Sequence, residues 1–270
     1  NTAGLQPYLS VEQNAYSFIG AGSDNTISGA SHSFIGAGSG NTINPATTTG
    51  STSHIDFISG YGYSGTGAYI GSGFDNLISG SNRSTIVNGF RNIIKGEPLS
   101  PDLKYRDWTS ALFFGQPHVD NLISSGNHNR ILDFGPQSKP LSYIPVRKST
   151  VINGRFNTIS GSNMSFIGTG MENRIHGLLG MYGNNAILHG SGNTINYGTY
   201  ISTILGGLEN EIVRVKEGAG TFGNPVFGGL NVVQSHQNFI GHGYQNTISG
   251  VTYGTILNGE TNSLTWGGDV

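Results

Sequence analysis

The apolar positions of this chain recur every eight residues. Aligning the central aliphatic residue of each unit gives four runs: Ile19, Ile27, Ile35, Ile43; Ile70, Ile78, Ile86, Ile94; Val151, Ile159, Ile167, Ile175; and Ile240, Ile248, Ile256, Leu264. A fixed short period marks a stacked array, because a unit this small cannot bury an apolar face alone. The units, such as "NTISG" and "SFIGA", combine β-branched and aromatic residues with a following Gly, the composition of a short strand and a turn. They lack the three- and four-residue spacing of a helix. The pattern predicts an all-β protein, a parallel β-solenoid spanning 1–270 as a single domain. It is a two-sheet β-roll of about sixteen residues per coil, since the units alternate in kind.

That alternation is visible in the residues flanking each inward aliphatic, which point outward on a strand. Odd units carry Phe18/Gly20, Phe34/Gly36, Tyr69/Gly71, Phe166/Gly168, Ala186/Leu188, Phe239/Gly241 and Thr255/Leu257. Even units carry Thr26/Ser28, Thr42/Asn44, Thr158/Ser160, Arg174/His176 and Thr247/Ser249. One strand of every coil is therefore apolar on both sides, and such a sheet must be covered. No helix-forming segment is present to cover it, so the expected cover is another copy of the same chain. At ~1.5–3 kcal/mol per fully buried large side chain, a row of such strands could hold an obligate oligomer.

Corners every eight residues demand turn formers. Gly supplies 44 of the 270 residues, against a usual ~7 %. Asn recurs before the even strands, at Asn25, Asn41, Asn76, Asn92, Asn157, Asn173, Asn193, Asn210, Asn246 and Asn262. The expected roles of these Asn are left-handed corner conformations and stacked amide ladders.

The recurring "I-x-G" and "N-x-I-x-G" over most of the chain resemble the β-roll head repeats of trimeric autotransporter adhesins. They also resemble repeat arrays in phage tail fibres, tailspikes and large secreted bacterial proteins. The resemblance implies a left-handed coil and a side-by-side homotrimer. The adhesin head repeat is shorter than sixteen residues, and this chain departs from it there. An intertwined triple-stranded β-helix, as in some tailspikes, is the alternative packing, but three equivalent faces would not give a two-fold pattern.

Composition narrows the setting. Lys and Arg number 13 and Asp and Glu 15, for a net charge of -2, which gives no case for nucleic acid or anionic membranes as partners. No apolar run reaches the ~18 residues of a membrane span, so no membrane insertion is expected. Cys is absent, which removes thiolate zinc sites and Cys nucleophiles and favours an extracellular, cell-surface or virion location. No metal site and no cofactor are predicted. "GAGSGN" and "GSGFDN" are followed by no helix that could hold a phosphate. The chain opens at Asn1 inside what reads as repeat, as a fragment or processed product would. If the repeat filled the chain, roughly sixteen coils at ~4.8 Å would make a rod of about 80 Å.

Candidate chemistry sits where the period breaks, because the coils themselves are occupied with stacking. Insertions are expected near 44–68, 95–118, 134–149, 177–185 and 213–225. Four of the breaks follow even strands, after Ile43, Ile94, Ile175 and Ile212. The segment 137–149 reads as a Pro-stiffened cover placed elsewhere. The exposed aromatics and polar groups of two insertions suit sugar rings, giving Asp56, Tyr61, Tyr63, Trp108, Phe113 and Phe114 as candidate carbohydrate-binding residues. For catalysis the candidates are Tyr105, Arg106 and Asp107, with Tyr as base and acid and Arg on a uronate carboxylate, and His118 with Asp120, near Asp133 and His128. Plugging of coil ends by the aromatics, and simple surface decoration by the acids, are the competing readings.

Three functions follow. The first is an extracellular or virion fibre or adhesin segment that associates with itself and binds surface carbohydrate. The second is a polysaccharide depolymerase, a lyase or glycosidase, of tailspike type. The third is an ice-binding protein using the Thr-x-Ser pairs of the even face, an array interrupted by Arg174, His176, Ile93 and Lys95.

Overall fold

The computed structural model describes residues 2–4, 16–44, 67–95, 118–132, 148–177, 184–196, 199–213, 221–222, 225–226, 228–229, 231–234, 238–249 and 253–265, apart from 29, 31, 80 and 163. Among them every regular element is a strand of two or three residues. Two parallel sheets hold nearly all of these strands, one of 13 and one of 12. The 12-stranded odd sheet aligns Ile19, Ile35, Ile70, Ile86, Ile123, Val151, Ile167, Ile187, Ile204, Val226, Ile240 and Ile256. The even sheet aligns Ile27, Ile43, Ile78, Ile94, Ile131, Ile159, Ile175, Ile195, Ile212, Val233, Ile248 and Leu264. The chain is a parallel β-solenoid of two sheets, as the eight-residue period requires.

Among the described residues the register stacks twelve odd and thirteen even strands. At ~4.8 Å per coil these strands span roughly 60 Å. The 137–149 segment differs from expectation. The strand before it, Arg130–Leu132, is even and the strand after it, Thr150–Val151, is odd. Its ends therefore lie at the same edge as the ends of the other four insertions.

The core is thin and regular. The aligned aliphatics from Ile27 to Ile248 whose burial is described are completely buried, and they form one continuous cluster. Branched side chains stiff at χ1 suit this column, because each sits on an identical neighbour above and below.

The corner before each even strand is built around a buried Asn. Asn25, Asn41, Asn76, Asn92, Asn129, Asn157, Asn173, Asn193, Asn210, Asn231 and Asn246 have 0 % exposure. Asn129 and Asn231 complete the set that the sequence pattern suggested. From Asn41 to Asn262, each backbone N–H donates to the side-chain Oδ1 of the Asn one coil earlier, at 2.9–3.1 Å. The side-chain amides donate forward to a Gly carbonyl of the next coil, as Asn157 Nδ2 does to Gly170 O at 3.0 Å. The ladder is therefore present, but the left-handed conformation is not on the Asn. It falls on the residue before it, for example Asp75, Arg91, His128, Phe156 and Glu172, with φ between 52° and 58°. That residue turns outward while the Asn turns in and satisfies backbone groups that water cannot reach.

Gly154 shows why the corner also needs glycine. Its φ is 109°, and an added Cβ would strike the carbonyl of Gly170 in the next coil. Three residues before each ladder Asn the chain repeats this Gly, so coils stack backbone on backbone there.

Candidate functional site

Each coil presents four surfaces: the outer faces of the two sheets and the two edges where the chain turns between them. Each insertion has an even strand before it and an odd strand after it. Asp56, Tyr61, Tyr63, Tyr105, Arg106, Asp107, Trp108, Phe113 and Phe114 lie outside the described residues, as does Asp133. His118 begins the two-residue strand His118–Val119, which pairs with Ser81–Asn82 at the edge leading from even to odd strands. Asp120 follows in the left-handed conformation (φ 61°) and is ion-paired with Arg83 at 3.3 Å, both side chains solvent-facing. The strand Leu122–Ile123 lies between Asp120 and His128, so these two occupy opposite edges rather than one site. Among the described residues no three His, Asp or Glu side chains are grouped to hold a metal ion. Among the described residues there is no helix long and apolar enough to cross a membrane.

The outer face of the even sheet reads, in register, Thr26, Thr42, Leu77, Ile93, Arg130, Thr158, Arg174, Thr194 and Glu211. The row continues through Val232, Thr247 and Ser263, and charged or aliphatic residues interrupt its Thr positions at Leu77, Ile93, Arg130, Arg174, Glu211 and Val232. The odd sheet is different in kind. Among the described residues none of its outward positions carries a charge. Where the first outward position is aromatic the second is Gly, and where the first is Thr or Ala the second is Val, Ile or Leu, with Leu122/Ser124 the exception. A Cβ on Gly168 would meet Phe166 Cε1 at 3.2 Å, and one on Gly241 would meet Phe239 Cε1 at 3.0 Å. Each ring therefore leans over its own strand's glycine and fills the space a side chain would have taken. Phe18, Phe34 and Tyr69 stack along this layer at 5.6 and 5.2 Å. Phe18, Val87, Ile152, Leu188 and Leu257 stay exposed on it.

The opposite edge, from odd to even strands, gathers groups that are far apart in sequence. A column of parallel bridges links Phe74, Phe90, Asn127, Arg155 and Met171. Beside it run the left-handed residues Asp75, Arg91, His128, Phe156 and Glu172. Phe74 stacks on Phe90 at 5.5 Å and 10°, Phe90 meets the His128 ring at 5.4 Å, and His128 meets Phe156 at 5.0 Å. The Arg91 guanidinium lies over Phe90 and that of Arg155 over Phe156, each 4.7 Å from the ring centre. Arg91 also pairs with Asp75 at 3.3 Å. No candidate of the sequence analysis pointed to this cluster as a binding surface.

Two imidazoles respond to these surroundings. Partial desolvation, then the charges of Arg91, Arg130 and Arg155, hold His128 below its ordinary pKa. Burial, then Arg174, lowers that of His176. As pH falls through the ordinary imidazole range near ~6.5, the unfolded chain takes up protons at these sites that the folded chain resists. This contribution to stability is therefore whole above that range and lost below it. Ring-proton NMR should show both histidines titrating below a free imidazole, and urea unfolding should have a lower midpoint at about pH 5 than at about pH 8. Ordinary or raised titration of His128 would contradict the positive field assigned to this edge.

No protein-family model matches the chain, and no curated protein matches it significantly.

Proposed function

We propose that this chain is a segment of an extracellular or virion fibre of adhesin or tail-fibre type, which packs through its odd sheet against further copies of itself and binds surface carbohydrate. The observation that carries the proposal is the outer layer of the odd sheet, apolar and uncharged along its described positions. Contiguous apolar surface of this kind marks an interaction site. A second sheet could pack on it at the ~10 Å separation of packed sheets. A copy of the same chain offers the same layer with the same repeat. The left-handed coil and the three-chain arrangement belong to this proposal through the resemblance to adhesin heads. Among the described residues the charged groups lie on the even face and the edges, which leaves those surfaces to meet a ligand while the odd face holds the assembly.

The absence of Cys makes a direct test available. Thr150 on the odd sheet and Thr158 on the even sheet are both half-buried in one chain. In the assembly, Thr150→Cys should be protected from a thiol reagent while Thr158→Cys reacts freely. Equal, rapid labelling of both would refute self-association through the odd face.

A further inference from the structure

From the odd-to-even edge and the even-face positions beside it we infer a binding site for an acidic polysaccharide with one carboxylate per sugar, laid along the solenoid axis with a guanidinium on each of four successive coils, Arg91 and Arg155 at the edge and Arg130 and Arg174 on the even face. The inference rests on the carbohydrate-binding reading above and gives it a place and a ligand class. Arg91, Arg130, Arg155 and Arg174 belong to four consecutive coils, as the strand register Ile93, Arg130, Thr158, Arg174 shows. All four are exposed. They are concentrated in the middle of a chain whose net charge is -2, in a stretch that also carries Glu172 and Asp75, the latter paired with Arg91. Successive coils are ~4.8 Å apart, close to the spacing of successive sugars in an extended polyuronate. A ligand running along the axis would meet one arginine per residue.

Two of the four guanidiniums are held in place. Arg91 rests on Phe90 and Arg155 on Phe156, although the order of Phe and Arg along the chain is reversed between the two pairs. Stacking on a ring orients the planar group and limits its rotamer freedom, so less entropy is lost when it binds a carboxylate in bidentate fashion. The rings between them fill the edge with a continuous apolar strip, Phe74 and Phe156 remaining partly exposed. Sugar C–H groups can lie against such a strip, while a duplex nucleic acid would present only phosphates to it. Stacked single-stranded bases would need open ring faces, and the stacking of Phe74 on Phe90 and of arginine on Phe90 and Phe156 covers much of them.

The test uses the full chain in its native assembly, with polygalacturonate as probe, dextran as the neutral control and single-stranded DNA as the competing polyanion, all at physiological salt. Polygalacturonate should bind, and dextran and DNA should bind at least about tenfold more weakly. The exposed double substitution Arg91→Ala with Arg155→Ala should lower polygalacturonate affinity by about tenfold or more per guanidinium while circular dichroism and assembly mass stay unchanged. Arg155→Lys, which keeps the charge, should still lose several-fold, because an ammonium does not provide the planar fork. DNA binding as tight as polygalacturonate, or full affinity in Arg155→Lys, would reduce the edge to a general polyanion surface and overturn the inference. Polysaccharide binding that survives the double substitution would overturn this site and leave carbohydrate recognition standing elsewhere on the chain. Failure of an intact assembly to bind polygalacturonate overturns the inference, and failure on a broad glycan array as well overturns the carbohydrate reading with it.

Discussion

Asn157→Asp is expected to destabilise the protein by about 3–5 kcal/mol, the loss typical of leaving a buried charge without a partner. Asn157 is fully buried at the sixth coil. Its Nδ2 donates to Asn129 Oδ1 at 3.2 Å, Asn153 O at 3.2 Å and Gly170 O at 3.0 Å. Its Oδ1 accepts from Asn173 N at 3.1 Å and Asn173 Nδ2 at 3.2 Å. An aspartate keeps the acceptor half and places a second oxygen among three acceptors, with no donor to offer them. Asn157→Ala removes both halves and should also destabilise, by about 1–3 kcal/mol for each buried group left unsatisfied. Contacts in a solenoid run only between neighbouring coils. The Asp variant should therefore also split urea unfolding, followed by circular dichroism, into two transitions. An Asp variant within about 1 kcal/mol of the wild type would show that the ladder is incidental to stability.

The second large effect is expected at the odd face. Ile152 and Leu188 are 37 % and 40 % exposed in the single chain, so a lysine at either position can reach water without disturbing the coil. In the assembly the same lysines would be pressed against an apolar layer, with several kcal/mol lost for each charge removed from water. The double variant Ile152→Lys with Leu188→Lys should keep its β circular dichroism and its thermal transition as a single chain, yet fail to assemble at concentrations where the parent chain is fully associated. Retention of the parental mass by this variant would locate the contact elsewhere. Loss of the β signal would show that these positions serve the fold itself.

The sequence made the sheets legible because each coil repeats one chemical demand. An aliphatic must fill each inward site and Asn must close one corner, so Ile27, Ile43 and Ile78 or Asn25, Asn41 and Asn76 can be read at a fixed interval. The pairs Ile123/Ile131, Ile187/Ile195 and Ile204/Ile212 obey the same step of eight. The last two pairs were still legible through Ala186/Leu188, Asn193 and Asn210, whereas Ile123/Ile131 with Asn129, and the stretch holding Asn231, offered too few units between insertions to establish a period. Left-handed residues were assigned to Asn itself, since propensity alone does not show which neighbour of a buried residue must turn.

The aromatic and arginine edge was hidden for another reason. Its bridge column passes from Phe74 to Phe90, Asn127 and Arg155, with unequal gaps and no shared residue type. In the two Phe–Arg pairs the aromatic and basic residues exchange columns. Only the strand register brings Phe90, His128 and Phe156 within ring contact. The sequence candidates were chosen for their local density of aromatic and charged residues. Of these, the structure describes the backbone of His118 and places Asp120 in an ion pair with Arg83.

The mass of the native particle tests the central claim most directly. Native mass spectrometry or sedimentation equilibrium of the unmodified chain should give an integral multiple of 28.4 kDa greater than one, and three chains if the arrangement implied by the resemblance holds. A particle of one chain at micromolar concentration, with its odd face open to solvent, would contradict it.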